Sequence, residues 1–195
     1  MEVVAETLPA TPKKLDHNQL IQEIKDGNQQ SFRSLYNRYA PLFKGIAYRY
    51  VGCADVSNDM IQETFVKIYK NLHTFSFKGS FEGWMKRILV NCCLEYVSKQ
   101  KKIIFEPDSV LADQSVSNWE LPVSEMSAQE IVDLINQLPD GYRMVFNLNV
   151  LEGYSHKEIG EHLGISESAS RSQLTKAKQK LRDLLKTIRI YSAAR

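Results

Sequence analysis

Seven cations, Arg171, Lys176, Lys178, Lys180, Arg182, Lys186 and Arg189, stand against one acid, Asp183, near the end of the chain. Guanidinium and ammonium groups gathered this way bind phosphates. Ser172 and Thr175 lie among the first of them, and their hydroxyls can pair with either kind of base-edge group. Ahead of this run, Ser155 followed three residues later by Glu158 is a capping-box start. Gly160 is small enough to let a second helix cross closely over the first. Gly164 can take the left-handed conformation that ends a helix, and Ser166 can cap the next. Two short helices joined by a tight turn, the second basic and amphipathic, is the grammar of a helix-turn-helix, whose second helix enters the major groove of DNA.

At 3.6 residues per turn, Leu174, Ala177, Leu181, Leu184 and Ile188 form one stripe, the seam against the rest of the domain. Ser172, Thr175, Lys176 and Gln179 lie opposite or beside it, with Arg171 and Arg182 on the flank. Residues near the start of a recognition helix reach base edges, and later cations meet phosphates. Arg171, Ser172, Thr175 and Lys176 are therefore candidates for base or nearby backbone contact. Lys178, Lys180 and Arg182 are candidates for phosphate contact. A basic helix alone would read more simply as a solvated surface; the capped turn in front of it favours DNA. Ser170 falls on the inward stripe, where an apolar residue would pack better.

The formal net charge of the 195 residues is only +2, so the partner class is read from local patches and not from the global sum. A second basic cluster is Lys99, Lys101 and Lys102, and acids gather around Asp59 to Glu63 and Glu106 to Glu130. Hydrophobic residues make up 43% of the chain, ample for a buried core. Three cysteines, Cys53, Cys92 and Cys93, suit a reducing compartment, because an adjacent pair does not readily bridge and the count is odd. There is no CxxC, and His156 and His162 fall on different faces, so no metal or cofactor is expected. Met1 to Lys14 has no apolar stretch of signal-peptide length, and no run is long enough to span a membrane. The expectation is a cytoplasmic protein with no membrane insertion.

The elements that position these residues are helical throughout. Residues 1–15 read as a disordered tail. Asp16 with Gln19 can open a helix carrying Leu20, Ile21 and Ile24, which Gly27 stops. Ser31 to Tyr50 follows with apolar residues at three- and four-residue spacing, and Pro41 inside it predicts a kink or break near Tyr39. Asp55 can cap a third helix whose inward stripe is Val56, Met60, Thr64, Phe65, Ile68 and Leu72. After a loop from His73 to Ser80, a fourth helix runs from Phe81 to about Lys102. Residues 103–124 lose the helical period and read as an acidic, mobile linker. Ser127 with Glu130 makes another capping box, Pro139-Asp140-Gly141 a turn, and Tyr142 to Leu151 a short helix. The fold class is all-α: two small helical domains, 16–102 and 125–190, joined by a flexible linker, the second a four-helix domain with the helix-turn-helix.

Taken in order, these pieces resemble a known family. Phe32-Arg33-Ser34-Leu35-Tyr36 begins one helix, and Asn58-Asp59-Met60-Ile61-Gln62-Glu63-Thr64-Phe65 lies on the next. A loop with Phe75, Phe77 and Phe81 leads into Trp84-Met85-Lys86-Arg87-Ile88 and Asn91. Leu138-Pro139 and the helix-turn-helix follow, ending Ala177-Lys178-Gln179-Lys180-Leu181-Arg182. In this order and spacing the chain resembles a bacterial sigma factor of the small, two-domain extracytoplasmic-function group, over roughly residues 16–190. The resemblance implies a non-enzymatic protein that binds core RNA polymerase and directs it to promoters. It implies that the first domain docks on polymerase and opens the −10 element, and that the second reads the −35 element; the linker either threads the RNA-exit path, as in the family, or is a plain tether. An anti-sigma factor is implied as a further partner.

The resemblance gives particular residues their roles. Asp59, Gln62 and Glu63 fall away from the apolar stripe, where they can receive arginines of a partner through charge-assisted hydrogen bonds; the family docks on polymerase here. Holding an unstacked base needs aromatic faces, amides and cations, and Phe75, Phe77, Lys78, Lys86, Arg87 and Asn91 supply them at the place the family uses for the −10 strand. Arg171, Ser172, Thr175, Lys176 and Lys178 are the −35 candidates. Trp84, with Ile88, Leu89 and Cys92, reads as core, and Cys92 and Cys93 as packing residues. Ala169, Ser170 and Gln173 depart from the residues the family usually places at the recognition helix, so the −35 sequence is not transferable. Two other readings differ in class. A stand-alone helix-turn-helix regulator would need a dimer surface, and no spare apolar stripe follows Ile190. An enzyme would need a phosphate loop, a metal cluster or a nucleophile–base pair, and the sequence has none of these.

Overall fold

A computed structural model describes residues 17–100 and 126–193, with the side chains of 100 and 188–193 left aside. The expected tail, the linker and Asp16 fall outside these residues, and so does the side chain of Ile188. All regular structure among the described residues is helical. Eight α-helices occur among the described residues, in chain order: α1 His17–Lys25, α2 Gln29–Val51, α3 Ala54–Asn71, α4 Phe81–Gln100, α5 Ala128–Asn136, α6 Asp140–Phe146, α7 His156–Leu163 and α8 Glu167–Ala193. The first four form one unit, in which α2, α3 and α4 pack on one another and α1 lies on α2. The last four form a second, built on α8 with α6 and α7 against it.

The helix ends follow from local chemistry. The Asn28 side chain accepts from the backbone N–H groups of Gln30 and Ser31, opening α2. Gly52, at φ 67°, closes it with an N–H bond to Tyr48 O. The capping boxes expected at Ser127–Glu130 and Ser155–Glu158 are both formed. Each glutamate accepts from both the hydroxyl and the N–H of its serine partner, and these bonds hold Glu158, through the hydroxyl first, and Glu130, through the N–H first, below the ordinary carboxylate value. Such boxes satisfy orphan donors at a helix start.

Three expectations are corrected. α2 is one continuous helix through Pro41, so the break, one of the two outcomes expected there, does not form. Leu35, Tyr39, Phe43, Ala47 and Tyr50 keep one buried stripe on both sides of the proline. Pro41 and Asn37, whose carbonyl loses its partner, both face solvent, so water can replace the missing bond. Cys53, not Asp55, is the residue before α3, and it makes no side-chain cap. Asp55 instead puts its charge in the first turn, where the helix dipole favours an anion. Pro139-Asp140-Gly141 is the start of α6 rather than a separate turn. α6 then widens into a π-turn at Asn147–Leu151, in which Glu152 N–H reaches Asn147 O at 3.0 Å.

Cys92 and Cys93 are core residues, as the sequence suggested. Burial pushes both thiols up, the more so for Cys93, so neither is a ready thiolate.

Candidate nucleic-acid interface

The helix-turn-helix is built from α7, the turn 164–166 and α8. Gly164, at φ 68°, ends α7 with an N–H bond to Gly160 O. Ile165 N–H bonds the same carbonyl at 3.1 Å, and Ser166 Oγ accepts from Ala169 N–H at 3.0 Å to open α8. A methyl at Gly160 would stand 2.7 Å from Ile165 O, so the turn folds back hard on α7 at that residue. Leu174, Ala177, Leu181 and Leu185 are buried as the seam, with Leu184 half-buried beside them.

The polar residue on that seam has its explanation. Ser170 is fully buried, and its Oγ lies 2.9 Å from His156 Nδ1 at the start of α7. Burial, with the charge of Arg171 added, holds His156 below its ordinary pKa. Gln173 is also buried, which the wheel did not anticipate. The five −35 candidates lie off this seam. Arg171 is 63% exposed at its side chain and ion-paired with Glu167, one turn back. Ser172, Thr175, Lys176 and Lys178 are half-buried, and Thr175 Oγ1 bonds Arg171 O.

On α3, Asp59, Gln62 and Glu63 are all exposed. Glu63 bonds Lys67 at 3.0 Å, and Lys67 reaches Glu95 of α4 at 3.0 Å. Burial works against the Lys67 charge, but the two carboxylates outweigh it and raise its pKa. The sequence reading missed the apolar part of this face. Val66 is 52% and Tyr69 54% exposed, and Tyr36 of α2, also exposed, has its ring centroid 4.7 Å from that of Phe65. Phe32 stacks edge-on against Tyr69, their centroids 5.2 Å apart. The signal was present: Gln62, Val66 and Tyr69 recur at i, i+4 and i+7 on the side turned from the core. Large exposed apolar groups beside polar ones mark protein-binding surface.

The loop between α3 and α4 splits its aromatics. Phe77 is 50% exposed at φ 58°, and Lys25 Nζ lies over its ring, 5.3 Å from the centroid. Phe75 is only 7% exposed and packs against Phe81 and Trp84 at 5.1 and 5.5 Å. The expectation that Phe75 offers a stacking face is therefore corrected: it is a core residue that anchors the loop, because its ring completes the cluster under it. Trp84 is half-buried and stacked on Phe81, in keeping with a packing role.

Lys78, Lys86 and Arg87 line one cleft of about 480 Å³ with Thr74, Trp84 and Val90. Glu152 and Tyr154 of the second unit form its far wall. Lys86 Nζ meets Glu152 at 2.6 Å. Asn91 is not in this cleft; it lines a neighbouring one of about 270 Å³ with Leu94, Glu95 and Ser98, faced by His162 and Leu163 of α7. Glu152 and Tyr154 were not legible in the sequence, since their partners are far away along the chain and no local spacing marks them. Among the described residues no group of three or more His, Cys, Asp and Glu side chains is placed to hold a metal, and no helix is long and apolar enough to cross a membrane.

Comparison with known proteins matches both units. Residues 35–103 match the family model of Sigma-70 region 2, and residues 128–181 that of Sigma-70 region 4. The sigma-E factor of Haemophilus influenzae, an extracytoplasmic-function RNA polymerase sigma factor, is 25% identical over 90% of this chain and 98% of that protein. SigW of Bacillus subtilis is 27% identical over 86% of this chain and 96% of its own length. The Escherichia coli K12 sigma-E factor is 29% identical over 86% and 93%. Among solved structures, the sigma factor RpoE of Bartonella quintana, in complex with the anti-sigma factor NepR, superposes with a TM-score of 0.51 at 18% identity, covering 80% of this chain and 98% of that one.

Proposed function

The chain belongs to the sigma-70 family, in its extracytoplasmic-function group, and from that premise we propose how its surfaces divide the work of promoter-specific initiation. As a sigma factor it binds core RNA polymerase and directs transcription initiation at particular promoters; the stand-alone regulator reading is not favoured, because a region 2 segment precedes the helix-turn-helix.

Residues 16–102 act as domain 2, residues 103–124 as the connecting linker and residues 125–190 as domain 4. The α3 face is the polymerase dock, with Asp59, Gln62 and Glu63 as the polar rim and Val66 and Tyr69 as the apolar centre. Apolar side chains ringed by charge suit an interface in which desolvated contacts give affinity and the rim fixes register. Phe77 offers a stacking face to an unstacked −10 base, while Lys78, Lys86 and Arg87 take the strand's phosphates and Asn91 pairs a base edge. Arg171, Ser172, Thr175, Lys176 and Lys178 meet the −35 duplex in the major groove. The protein works in the cytoplasm without chemistry of its own, and an anti-sigma factor restrains it.

The observation that carries this reading is a capped helix-turn-helix whose second helix shows cations off its packing seam, preceded in the same chain by a region 2 unit with an exposed polar and apolar helix face. Run-off transcription with purified core polymerase on a genomic fragment library tests it. Transcripts starting at discrete sites only when the chain is added are expected. No discrete start on any fragment overturns the reading.

A further inference from the structure

The two helical units close on one another through Glu152, and we propose that this contact is an autoinhibitory latch: a carboxylate of the second unit takes a phosphate's place among the cations of the α4 cleft. The proposal rests on the reading that Lys86 and Arg87 meet the −10 strand.

Glu152 is only 3% exposed at its side chain, yet its carboxyl group lies in the interface. A buried carboxylate is stable only where cations face it. Two do, both from the first unit: Arg49 Nη2 of α2 at 2.9 Å and Lys86 Nζ of α4 at 2.6 Å. The π-turn 147–151 sets the approach, since Glu152 follows it directly. Asn147, in the same turn, donates from Nδ2 to Arg49 O at 2.9 Å and fixes the turn to the end of α2. The cover is wider than one ion pair. Tyr154 walls the same cleft, Leu163 and His162 of α7 face Asn91, and the charge of Arg87 is felt at Glu158. The α4 groups assigned to the −10 strand are thus faced by the second unit, while Phe77 and Lys78 stay exposed at the loop.

A second observation bears on how firmly the closure holds. Buried polar atoms along this seam have no hydrogen-bond partner among the described residues: Arg49 Nε, Tyr50 Oη, Asn147 Oδ1 and both amide atoms of Asn136. Asn136 stands over Gly52, at the end of α2. Polar atoms buried without partners oppose the closed state, and each regains water when the units part. A permanent interface would satisfy or replace them. The seam is instead held by charge and opposed by its own desolvated amides, so a competitor with denser negative charge, such as a DNA strand, can displace Glu152.

Two readouts on the full chain test the latch: X-ray scattering for overall dimensions, and the binding of a short fluorescein-labelled random-sequence single-stranded DNA without polymerase. Glu152→Gln keeps the shape of the side chain and removes its charge. Arg49→Gln removes a cation from the opposite wall without touching Glu152 or Lys86. Glu161→Gln, exposed on α7, controls for the loss of one negative charge. Both latch variants are expected to be more extended than the natural protein. If the closed form holds about nine-tenths of the molecules, Glu152→Gln binds the DNA about tenfold tighter. Latch variants that keep the natural dimensions, or a Glu152→Gln affinity no higher than that of Glu161→Gln, overturn the latch. Lys86→Gln added to Glu152→Gln is expected to remove the gain in affinity. A gain that survives it overturns the −10 assignment of Lys86 instead, with the scattering result still deciding whether Glu152 closes the molecule.

Discussion

Gly160→Ala is the substitution for which local propensity and tertiary geometry give opposite signs. In a helix interior alanine is favoured over glycine by about 1 kcal/mol, so propensity alone predicts a more stable domain. The added methyl, however, would stand 2.7 Å from the Ile165 carbonyl oxygen and 3.7 Å from Glu167 N. The first is well inside van der Waals contact, and the obstacle is backbone, which has no rotamer to change. Gly160 O already accepts from the N–H groups of both Gly164 and Ile165, so the turn cannot withdraw without stretching those bonds. Ile159, next to it, is fully buried and holds α7 in place. Overpacking of this kind costs about 1–3 kcal/mol, and a clash with backbone belongs at the upper end; less the propensity gain, a net loss of about 2 kcal/mol is expected. Urea unfolding followed by circular dichroism measures it as a lower midpoint at unchanged slope. The helix-turn-helix angle shifts with the turn, so −35 duplex affinity should fall while core polymerase binding stays. A midpoint that is unchanged or higher refutes the close approach on which the helix-turn-helix geometry rests.

Gln62→Ala combined with Glu63→Ala, and separately Tyr69→Ser, should weaken binding to core polymerase in a pull-down or anisotropy assay while leaving the thermal melt nearly unmoved; unchanged holoenzyme formation removes this face from the dock. Lys176→Ala should cost about 1–3 kcal/mol of −35 affinity and relax selectivity if the residue reads a base, and the same titrations should weaken by about 0.9 log units per phosphate contact for each log unit of salt. His156 is held below its ordinary value of 6.5, chiefly by burial, so the folded protein favours the neutral ring. Its contribution is therefore present above pH 6.5 and lost as pH falls through the lowered value, while the capping carboxylate of Glu158 responds only below 4.5. Melting temperatures should decline between those limits, and His156→Gln should flatten that decline.

What the sequence made legible was whatever is written within a turn or two of helix. The capping boxes at Ser127 and Ser155, the stops at Gly52 and Gly164 and the stripe of α3 all formed, because their partners lie three or four residues away. Pro41 misled because the rule for proline counts a lost bond but not where the orphaned carbonyl points. Phe75 misled because an aromatic in a loop looks available until the cluster beneath it, Phe81 and Trp84, is seen to need its ring. Glu152 could not be found at all. Its meaning comes from Arg49 and Lys86, which reach it only after the two units meet.

Ser170 shows why a polar residue on a packing seam can serve recognition better than an apolar one. A helix in a groove presents its side chains by rotation, and one residue of slip turns the presented face by about 100°. Apolar contacts are non-directional and tolerate small rotations. A hydrogen bond does not, and Ser170 Oγ is held 2.9 Å from a ring that itself begins α7. That bond fixes α8 about its own axis one residue before Arg171 and Ser172, so the angle at which they leave the helix is set by the helix in front of it. The buried pair thus trades apolar packing for orientation just ahead of the residues proposed to read the −35 bases. It follows that Ser170→Ala, which removes the bond and leaves His156 facing an apolar methyl, should disturb −35 selectivity more than Leu185→Ala, which removes more buried carbon from the far end of the same seam.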